Sequence, residues 1–112
     1  MIEMEFKFCK LEIFIPKSHL SELKTALRRV DAGHIGNYDS CLSYGDVIGV
    51  WRPINGSKPY AGDMNKISEA PEIKVEVRIA IENLEKTVSA IKEIHPYETP
   101  VINIIPLLNN HD

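Results

Sequence analysis

The fold of this chain is decided by residues 72–82, EIKVEVRIAIE. Apolar side chains occupy every odd position from Ile73 to Ile81, while the even positions between them carry Lys, Glu, Arg and Ala. Successive side chains of a strand point to opposite faces of its sheet. The run therefore predicts a strand with one buried face and one open, charged face.

A helical pattern follows this strand. Apolar residues recur at three- and four-residue steps after Asn83, which is a suitable N-cap, and we expect their stripe to face the core. Pro96 disfavours a helical backbone at the residue before it, so the helix should end at His95. Residues 101–105 then predict a final short strand. The apolar stripe consists of Leu84, Val88, Ile91 and Ile94.

The same order of elements stands at the start of the chain. Residues 6–15 alternate between apolar and mixed side chains and predict a strand that ends at Pro16. Ser18 is a plausible N-cap for the helix that follows. We expect Gly33 to close this helix in the left-handed conformation. The apolar stripe of the helix consists of Leu20, Leu23, Leu27 and Val30.

The middle of the chain holds shorter β-like pieces. Residues 38–44 are one candidate strand, Gly45-Asp46 is a turn or a bulge, and residues 47–51 are a second strand or the other half of a bent one. Residues 52–71 are rich in proline and glycine and predict a long loop. Long loops in compact domains tend to be functional or to contact partners.

These elements follow the order β-α-β-β-α-β, with an extra β piece in the middle hairpin. Two split βαβ units predict an α+β, ferredoxin-like sandwich, in which both helices cover one face of an antiparallel sheet. We expect a single domain over residues 1–112, with its core at about 6–106. The other face of the sheet stays open and carries Glu12, Lys74, Glu76 and Arg78.

Composition limits the possible partners. The 112 residues are 44% hydrophobic and 26% charged, which is ordinary for a globular protein of one domain. A net charge of −3 and the lack of any Lys/Arg run argue against nucleic-acid binding. Cys9 and Cys41 are interpreted as reduced core residues. No apolar stretch could span a bilayer, and the acidic residues among 1–5 do not suit a signal peptide, so we expect the cytoplasm.

Two junctions that follow the helices carry the candidate ligand residues. Each has a histidine at the helix exit and a tyrosine shortly after it, in GHIGNY at 33–38 and HPYETP at 95–100. Neutral imidazole with carboxylate suits Zn²⁺ or Cu²⁺ better than Mg²⁺, whereas protonated histidines would favour a small anion. The candidate ligand-binding residues are His34, Tyr38, His95, Tyr97 and Glu98, and the candidate metal ligands among them are His34, His95 and Glu98.

Each of these residues also has a structural interpretation. His34 could donate to the last carbonyls of the first helix, where the helix dipole favours a positive charge. The ring of His95 could fill space beside Tyr97, and Glu98 could pair with a lysine or an arginine. The tyrosines could simply pack with satisfied hydroxyls. The two glycines of the first junction follow a helix rather than a strand, so they do not predict a phosphate-binding loop.

Taken in order, the motifs of this chain are GHIGNY at 33–38, Cys41, WRP at 51–53, Gly56 with Pro59, VEVR at 75–78 and HPYE at 95–98. Their order resembles the small PII-like/CutA-like domain inserted in proteins of the NIF-three family, also called YqfO-like or GTP cyclohydrolase I type 2-like proteins. The resemblance covers about residues 8–106. It implies a ferredoxin-like fold with an extended hairpin between the second and third strands. Ser40 and Thr99 stand where that family often has a histidine and a second glutamate.

The resemblance does not imply an enzyme, because nothing here matches the metal-binding domain that surrounds the insert in the larger relatives. We expect a non-catalytic, oligomeric module that binds a small ligand or a divalent metal ion and does not hydrolyse GTP or phosphoesters. The resemblance implies a homotrimer, formed through the open sheet face and the 52–71 loop, with the candidate residues in a cleft near a subunit boundary. The alternatives are a purely structural oligomerisation or protein-interaction domain, and a small enzyme that uses His34, His95 and Glu98 as acid or base.

Overall fold

A four-stranded antiparallel sheet, covered on one face by two α-helices, makes up the fold. The computed structural model describes residues 5–108. Residues 1–4, which carry most of the N-terminal prediction, and the predicted domain limits at 1 and 112 lie outside this part of the chain. In chain order the elements are β1 (Phe8–Ile15), α1 (Leu20–Arg29), β2 (Ser43–Trp51), β3 (Ser68–Ala80), α2 (Leu84–Ile94) and β4 (Ile102–Leu107).

The alternating run of residues 72–82 becomes most of β3, a central strand. The strand order is β2-β3-β1-β4, and every neighbouring pair is antiparallel. Leu11 of β1 lies opposite Val77 on one side and Ile104 on the other. This is the ferredoxin-like βαββαβ arrangement, so the predicted fold class is confirmed.

One face of the central strands and one stripe of each helix form the core. Alternate residues of β1 are fully buried and the residues between them are half-exposed, as a strand packed on one face requires. Within the described residues, neither α-helix combines the length and apolar character that crossing a bilayer requires. The largest fully buried side chains include Leu11, Ile13, Leu23, Leu27, Val75 and Ile91.

Thr87 lies on the core-facing side of α2, which apolar residues alone were expected to fill. Its side chain is fully buried, and its hydroxyl donates to the Asn83 carbonyl at 2.7 Å. This bond satisfies a hydroxyl that would destabilise the core if it were left unpaired. Asn83 takes the N-cap position as predicted but makes no capping hydrogen bond with its side chain.

The face opposite the helices carries an alternating network of charges. Glu12 lies directly opposite Glu76, and like charges in this position repel each other. Two lysines offset the repulsion: the Lys10 ammonium lies 2.9 Å from Glu76, and the Lys74 ammonium lies 3.4 Å from Glu12. The predicted open face is therefore present and electrostatically balanced.

The start of α1 differs from the prediction, because Ser18 is not its N-cap. A 3₁₀ turn, Lys17–His19, precedes the helix, and His19 takes the cap position without a side-chain capping bond. The Ser18 hydroxyl instead lies 2.9 Å from the ring of His19. Pro16 ends β1 as expected, but it leads into this extra turn rather than directly into the helix.

The end of α1 also differs, because Asp31 rather than Gly33 closes the helix. Asp31 has a φ of 57°, and the N–H groups of Asp31 and Ala32 donate back into the last turn as in a Schellman motif. Gly33, with a φ of 82°, packs against the backbone of Cys41, where a Cβ would collide. Its N–H donates to the Arg78 carbonyl and its carbonyl accepts the Cys41 N–H, both at 2.9 Å.

β2 is one continuous strand, so the predicted turn or bulge at Gly45-Asp46 is wrong. Its pairing with β3 runs without interruption from Ser43 to Trp51, and residues 38–42 lie outside the strand. Glycine inside a strand often marks a bulge or a bend, but its presence does not require one. Gly45 stays in the ladder, paired with Lys74.

β3 begins at Ser68 rather than at residue 72, which shortens the predicted loop to residues 52–67. Pro71 indicated a loop because proline cannot donate to a strand ladder. β1 pairs with β3 only as far as Ile73, so the segment before it is bonded to β2 alone. A strand bonded on one side tolerates proline, which explains the difference.

Candidate functional site

The HPYETP segment (95–100) owes its shape to Pro96, which ends α2 as predicted. His95 takes an extended backbone, with φ of −75° and ψ of 129°, and its imidazole is only 8% exposed. The ring Nε2 donates to the Phe14 carbonyl at 2.7 Å, and Nδ1 accepts the Tyr97 N–H at 3.2 Å. His95 thereby ties the end of β1 to the start of the segment.

Both ring nitrogens of His95 are occupied by these bonds. Because Nδ1 accepts an N–H, the ring proton lies on Nε2 and the imidazole is neutral. Burial disfavours the charged form and lowers the pKa of His95 below its ordinary value. A metal ion could bind this ring only after one of the two hydrogen bonds broke.

Tyr97 and Glu72 form a second connection between the HPYETP segment and the sheet. The Tyr97 hydroxyl donates to Glu72 Oε2 at 2.6 Å, and Glu72 is 9% exposed. Burial and the neighbouring carboxylate raise the pKa of Tyr97, which keeps the phenol protonated and able to donate. The carboxylate fits against β2 because Gly49 has no Cβ there; a Cβ would collide with it.

Two hydrogen bonds fasten the 52–67 loop over this region. Glu98 Oε1 accepts the Lys58 N–H at 2.6 Å, so its partner is a backbone group rather than the basic side chain considered above. The Trp51 indole N–H donates to the Ala61 carbonyl at 3.0 Å. The loop is therefore held both to the HPYETP segment and to the end of β2.

A cavity of about 420 Å³, here called the loop pocket, lies between the 52–67 loop, the sheet and the HPYETP segment. Its volume is that of a small-molecule site. Glu72 and Glu98 line it, and among its described lining residues there is no Lys, Arg or His. The rings that line it belong to Phe14, Trp51, Tyr60 and Tyr97.

The junction after α1 has the opposite character. His34 is exposed, with Nδ1 3.0 Å from the Asp31 carboxylate and Nε2 3.1 Å from the Gly36 carbonyl. The hydrogen bond that the ring donates to the Asp31 carboxylate favours the charged ring and raises the pKa of His34. Tyr38 exchanges main-chain hydrogen bonds with Ile35, and its side chain is 74% exposed.

The two junctions lie near opposite ends of the sheet. The first is bonded to Arg78, near the C-terminal end of β3, whereas His95 reaches Phe14, near the C-terminal end of β1. β1 and β3 run antiparallel, so these ends are far apart. Within one chain, the structure brings together the three site residues predicted in the second junction but not the two predicted in the first.

The predicted metal ligands are divided in the same way. Among residues 5–108, no group of three or more His, Cys, Asp or Glu side chains could hold a metal ion. A site made of His34, His95 and Glu98 would have to combine residues of neighbouring chains. It stays a prediction.

Several residues of the loop pocket were not predicted from the sequence. In the sequence, Glu72 resembles an ordinary polar residue at the start of an alternating strand, and Trp51 resembles the last residue of a strand. The one usable signal was Gly49, because a glycine inside a strand often marks the close approach of another group. Neither Phe14 nor Tyr60 carries a comparable signal.

Comparison with known proteins confirms the resemblance. The chain is 35% identical over 100 residues to a GTP cyclohydrolase 1 type 2 homolog of Halalkalibacterium halodurans, a match covering 89% of this chain and 27% of that protein. The homolog of Bacillus subtilis is 32% identical over 99 residues, a match covering 88% of this chain and 26% of that protein. The chain thus spans about a quarter of the length of these relatives. No family model matches it.

Solved structures share the fold. A Bacillus cereus protein related to NIF3 matches with a TM-score of 0.80 and 27% identity, over 97% of this chain and 28% of that chain. CutA from Archaeoglobus fulgidus matches with a TM-score of 0.69 and 18% identity, over 92% and 86%. CutA1 from Ehrlichia chaffeensis matches with a TM-score of 0.71 and 16% identity, over 97% of this chain and 89% of that chain. At these identities the likeness to CutA shows the fold alone.

Proposed function

We propose that this chain, similar to a segment of NIF3-related proteins and folded like CutA, is a non-catalytic binding module that takes a small ligand in the loop pocket. The observation that carries the proposal is the pocket itself. Separate segments of the chain converge on a cavity of about 420 Å³, and four aromatic rings form part of its wall. Tyr97 and Glu98, two of the residues predicted from the sequence, belong to that wall.

The polar groups around the pocket support binding rather than catalysis. The neutral ring of His95 holds one hydrogen bond on each nitrogen and has none free to move a proton. Ser57, the serine of the described lining, directs its hydroxyl at the Met64 sulfur, 3.4 Å away, rather than at a base. The activity in the name of the GTP cyclohydrolase homologs belongs to proteins of which this chain spans about a quarter.

An oligomer, and specifically a homotrimer, is part of the proposal. Phe14 and Glu72 of the loop pocket share the strand alternation of the charged residues on the open face, so the pocket adjoins that face. Large apolar side chains are also exposed along the two edge strands, and assembly would cover them. They include Tyr44, Ile48, Val50, Ile104 and Ile105.

A divalent metal ion is a narrower proposal. CutA of Archaeoglobus fulgidus is described as a periplasmic divalent cation tolerance protein. In this chain, His34, His95 and Glu98 could reach one Zn²⁺ or Cu²⁺ only between subunits. Calorimetric titration of Zn²⁺ into the wild type, His34→Ala and His95→Ala tests the site. Equal binding in all three, or binding weaker than about millimolar (about −4 kcal/mol), would make these histidines structural.

The loop pocket contains its own reporter, because Trp51 is the single tryptophan of the sequence and lines the cavity. A library of small aromatic and aliphatic molecules, anionic, neutral and cationic, is titrated while tryptophan fluorescence and melting temperature are recorded. A ligand of the native state must raise the melting temperature. We expect at least one chemical class to change the fluorescence of Trp51 and to raise the melting temperature.

Two tyrosine variants locate the binding. Tyr60→Ala removes a ring from the pocket wall, whereas Tyr38→Ala removes a more exposed ring from the distant first junction. Binding should weaken in Tyr60→Ala and stay unchanged in Tyr38→Ala. If no molecule changes the fluorescence of the wild type, or if the two variants bind alike, the pocket is not a ligand site. The results would then favour a purely structural oligomerisation or protein-interaction domain.

A further inference from the structure

Glu72 is a buried carboxylate without a cation. It is 9% exposed, and the Tyr97 hydroxyl on Oε2 is its hydrogen-bond partner in the described part of the chain. Within residues 5–108 no Lys, Arg or His side chain forms an ion pair with it. The ammonium of Lys74, two residues along the same face, lies 3.4 Å from Glu12 instead.

A carboxylate in this position is incompletely satisfied. Its two oxygens can accept about four hydrogen bonds, and Tyr97 supplies one. Removing a charged group from water destabilises a protein unless an opposite charge or further donors compensate. Oε1 of Glu72 lies against Gly49, and the residue lines the cavity. What the pocket lacks is a positive group with donors.

The pocket wall suits a cation with an apolar body. Faces of aromatic rings attract cations, most strongly where water is excluded. The rings of Trp51, Tyr60, Tyr97 and Phe14 line the cavity together with prolines, and Glu98, bonded to the 52–67 loop, adds a second carboxylate. Two carboxylates without a basic residue in the described lining disfavour phosphates and other anions.

We propose that the ligand of the loop pocket is an organic ammonium ion, an amine with an aromatic or aliphatic body, whose charged head binds Glu72. The inference rests on the proposed function and adds the chemical class of the ligand. A bare divalent metal fits the same place less well. Two carboxylates are fewer than the three or more protein ligands of ordinary zinc sites, and the described residues hold no larger cluster.

The probes are 2-phenylethylammonium and longer alkylammonium ions, each compared with the alcohol of the same body. Tryptophan fluorescence follows their titration into the full chain. We expect each ammonium ion to bind the wild type at least about tenfold more tightly than its alcohol, a difference of about 1.4 kcal/mol. Glu72→Gln, which keeps an acceptor for Tyr97, should abolish most of that difference.

Glu69→Gln is the matched control for charge. Glu69 lies on the same strand and is exposed outside the pocket, so this variant removes the same charge without touching the site. The ammonium preference should survive in Glu69→Gln. If both variants lose it equally, the preference reflects the overall field of the protein, and the assignment to Glu72 is wrong.

A second pair of variants moves Glu72 without replacing it. Gly49→Ala places a methyl group against the Glu72 carboxylate, while Gly45→Ala, on the same strand, meets nothing within 4 Å. Ammonium binding should weaken severalfold in Gly49→Ala and remain at the wild-type level in Gly45→Ala. Equal affinities in the two variants would contradict a contact between the carboxylate and the ligand head.

The outcomes separate this inference from the proposed function. Alcohols that bind as well as ammonium ions, in the wild type and in Glu72→Gln alike, overturn the inference but leave a ligand pocket. Failure of every probe, charged or neutral, overturns both. If ammonium ions fail and Glu72→Gln dissociates the oligomer in sedimentation, the partner of Glu72 is a basic side chain of a neighbouring copy, and the inference is again overturned.

Discussion

His95 and His34 follow the two helices at comparable points, but their surroundings favour opposite charge states. His95 is buried and holds a neutral ring between the Phe14 carbonyl and the Tyr97 N–H. His34 is exposed beside the carboxylate of Asp31, which stabilises the charged ring. The two imidazoles therefore differ in contacts and in preferred charge despite their similar sequence context.

We predict that the two histidines titrate on opposite sides of the ordinary imidazole pKa of about 6.5. The lowered pKa of His95 means that the unfolded chain binds the proton first as the pH falls. Its contribution to stability is complete above about 6.5 and is lost as the pH falls through its folded-state pKa. The raised pKa of His34 gives a contribution present below about 6.5 and lost as the pH rises through its folded-state pKa.

Proton-detected NMR of the imidazole resonances across pH 4–9 measures both values (the range is about that of the free ring plus and minus two to three units). His34→Gln and His95→Gln assign the resonances. Two pKa values on the same side of the free-imidazole value would contradict the hydrogen-bond assignments of these rings.

Gly33 is required by its contacts as well as by its backbone. It has a φ of 82°, and a Cβ there would collide with the backbone of Cys41. We predict that Gly33→Ala lowers the free energy of unfolding by about 3 kcal/mol. Gly36→Ala, at a φ of 57° with nothing within 4 Å, should lower it by only about 1 kcal/mol.

Urea unfolding of the two glycine variants separates steric collision from left-handed strain, because both substitutions share the strain and one adds the collision. Equal losses of stability would mean that the backbone around Cys41 moves aside. In that case the packing of the first junction against β3 is looser than its hydrogen bonds indicate.

At the scale of elements, predictions from the sequence succeed where the cause is local. The alternation of apolar and polar residues predicts β1 and β3, and apolar residues at three- and four-residue steps predict both helices. Pro96 predicts where α2 ends. Each of these signals acts within a few residues. The two misplaced features of the strands depend on partners elsewhere, whereas the two misplaced ends of α1 have local causes, a 3₁₀ turn before the helix and the left-handed Asp31 after it. Gly45 stays in β2 because β3 pairs with it, and Pro71 fits β3 because β1 has already stopped pairing.

The candidate site depends even more on distant contacts. Glu98 meets Lys58 across 40 positions of the chain, and His95 meets Phe14 across 81. Sequence spacing identifies the HPYETP segment as unusual but cannot place a loop over it. Hence three of the five predicted site residues came together, while the carboxylate of Glu72 became visible only in the folded chain.

The hydrogen bond between Lys58 and Glu98 gives the 52–67 loop its position. We predict that Glu98→Ala speeds hydrogen exchange at the Lys58 amide by about tenfold, because the amide loses its acceptor. Glu98→Gln keeps an acceptor oxygen and should show a much smaller effect. If neither variant changes the exchange, the loop is held instead by the bond between Trp51 and Ala61 and by the packing of Tyr60 against Tyr97.

At the scale of the whole molecule, one face of the sheet and both edge strands lack a covering layer within a single chain. On the edge strand β2, Ile48 is 64% and Val50 60% exposed, and their pairing with β3 places both on the helix side of the sheet. The charged network of β1 and β3 occupies the centre of the uncovered face. Exposed apolar edge strands beside a balanced polar face are typical of a protein that meets another copy.

We predict a sedimenting species of three times 12.7 kDa at micromolar concentration. Lys74→Glu should shift it toward monomer, because the open face would then gather a third carboxylate beside Glu12 and Glu76. Lys92→Glu, on the exposed side of α2, carries the same charge change and should leave the assembly intact. A wild-type monomer at this concentration would contradict the trimer.

Residue-resolved NMR of the ¹⁵N-labelled chain, with the strongest ligand from the fluorescence screen, tests the assignment of the loop pocket most directly. We predict chemical-shift changes at the Trp51 indole and at the amides of Tyr60 and Thr99, which line the cavity. The signals of Gly36 and Tyr38 in the first junction should stay unchanged. Shifts concentrated at residues 33–38, with the Trp51 indole unmoved, would contradict this assignment.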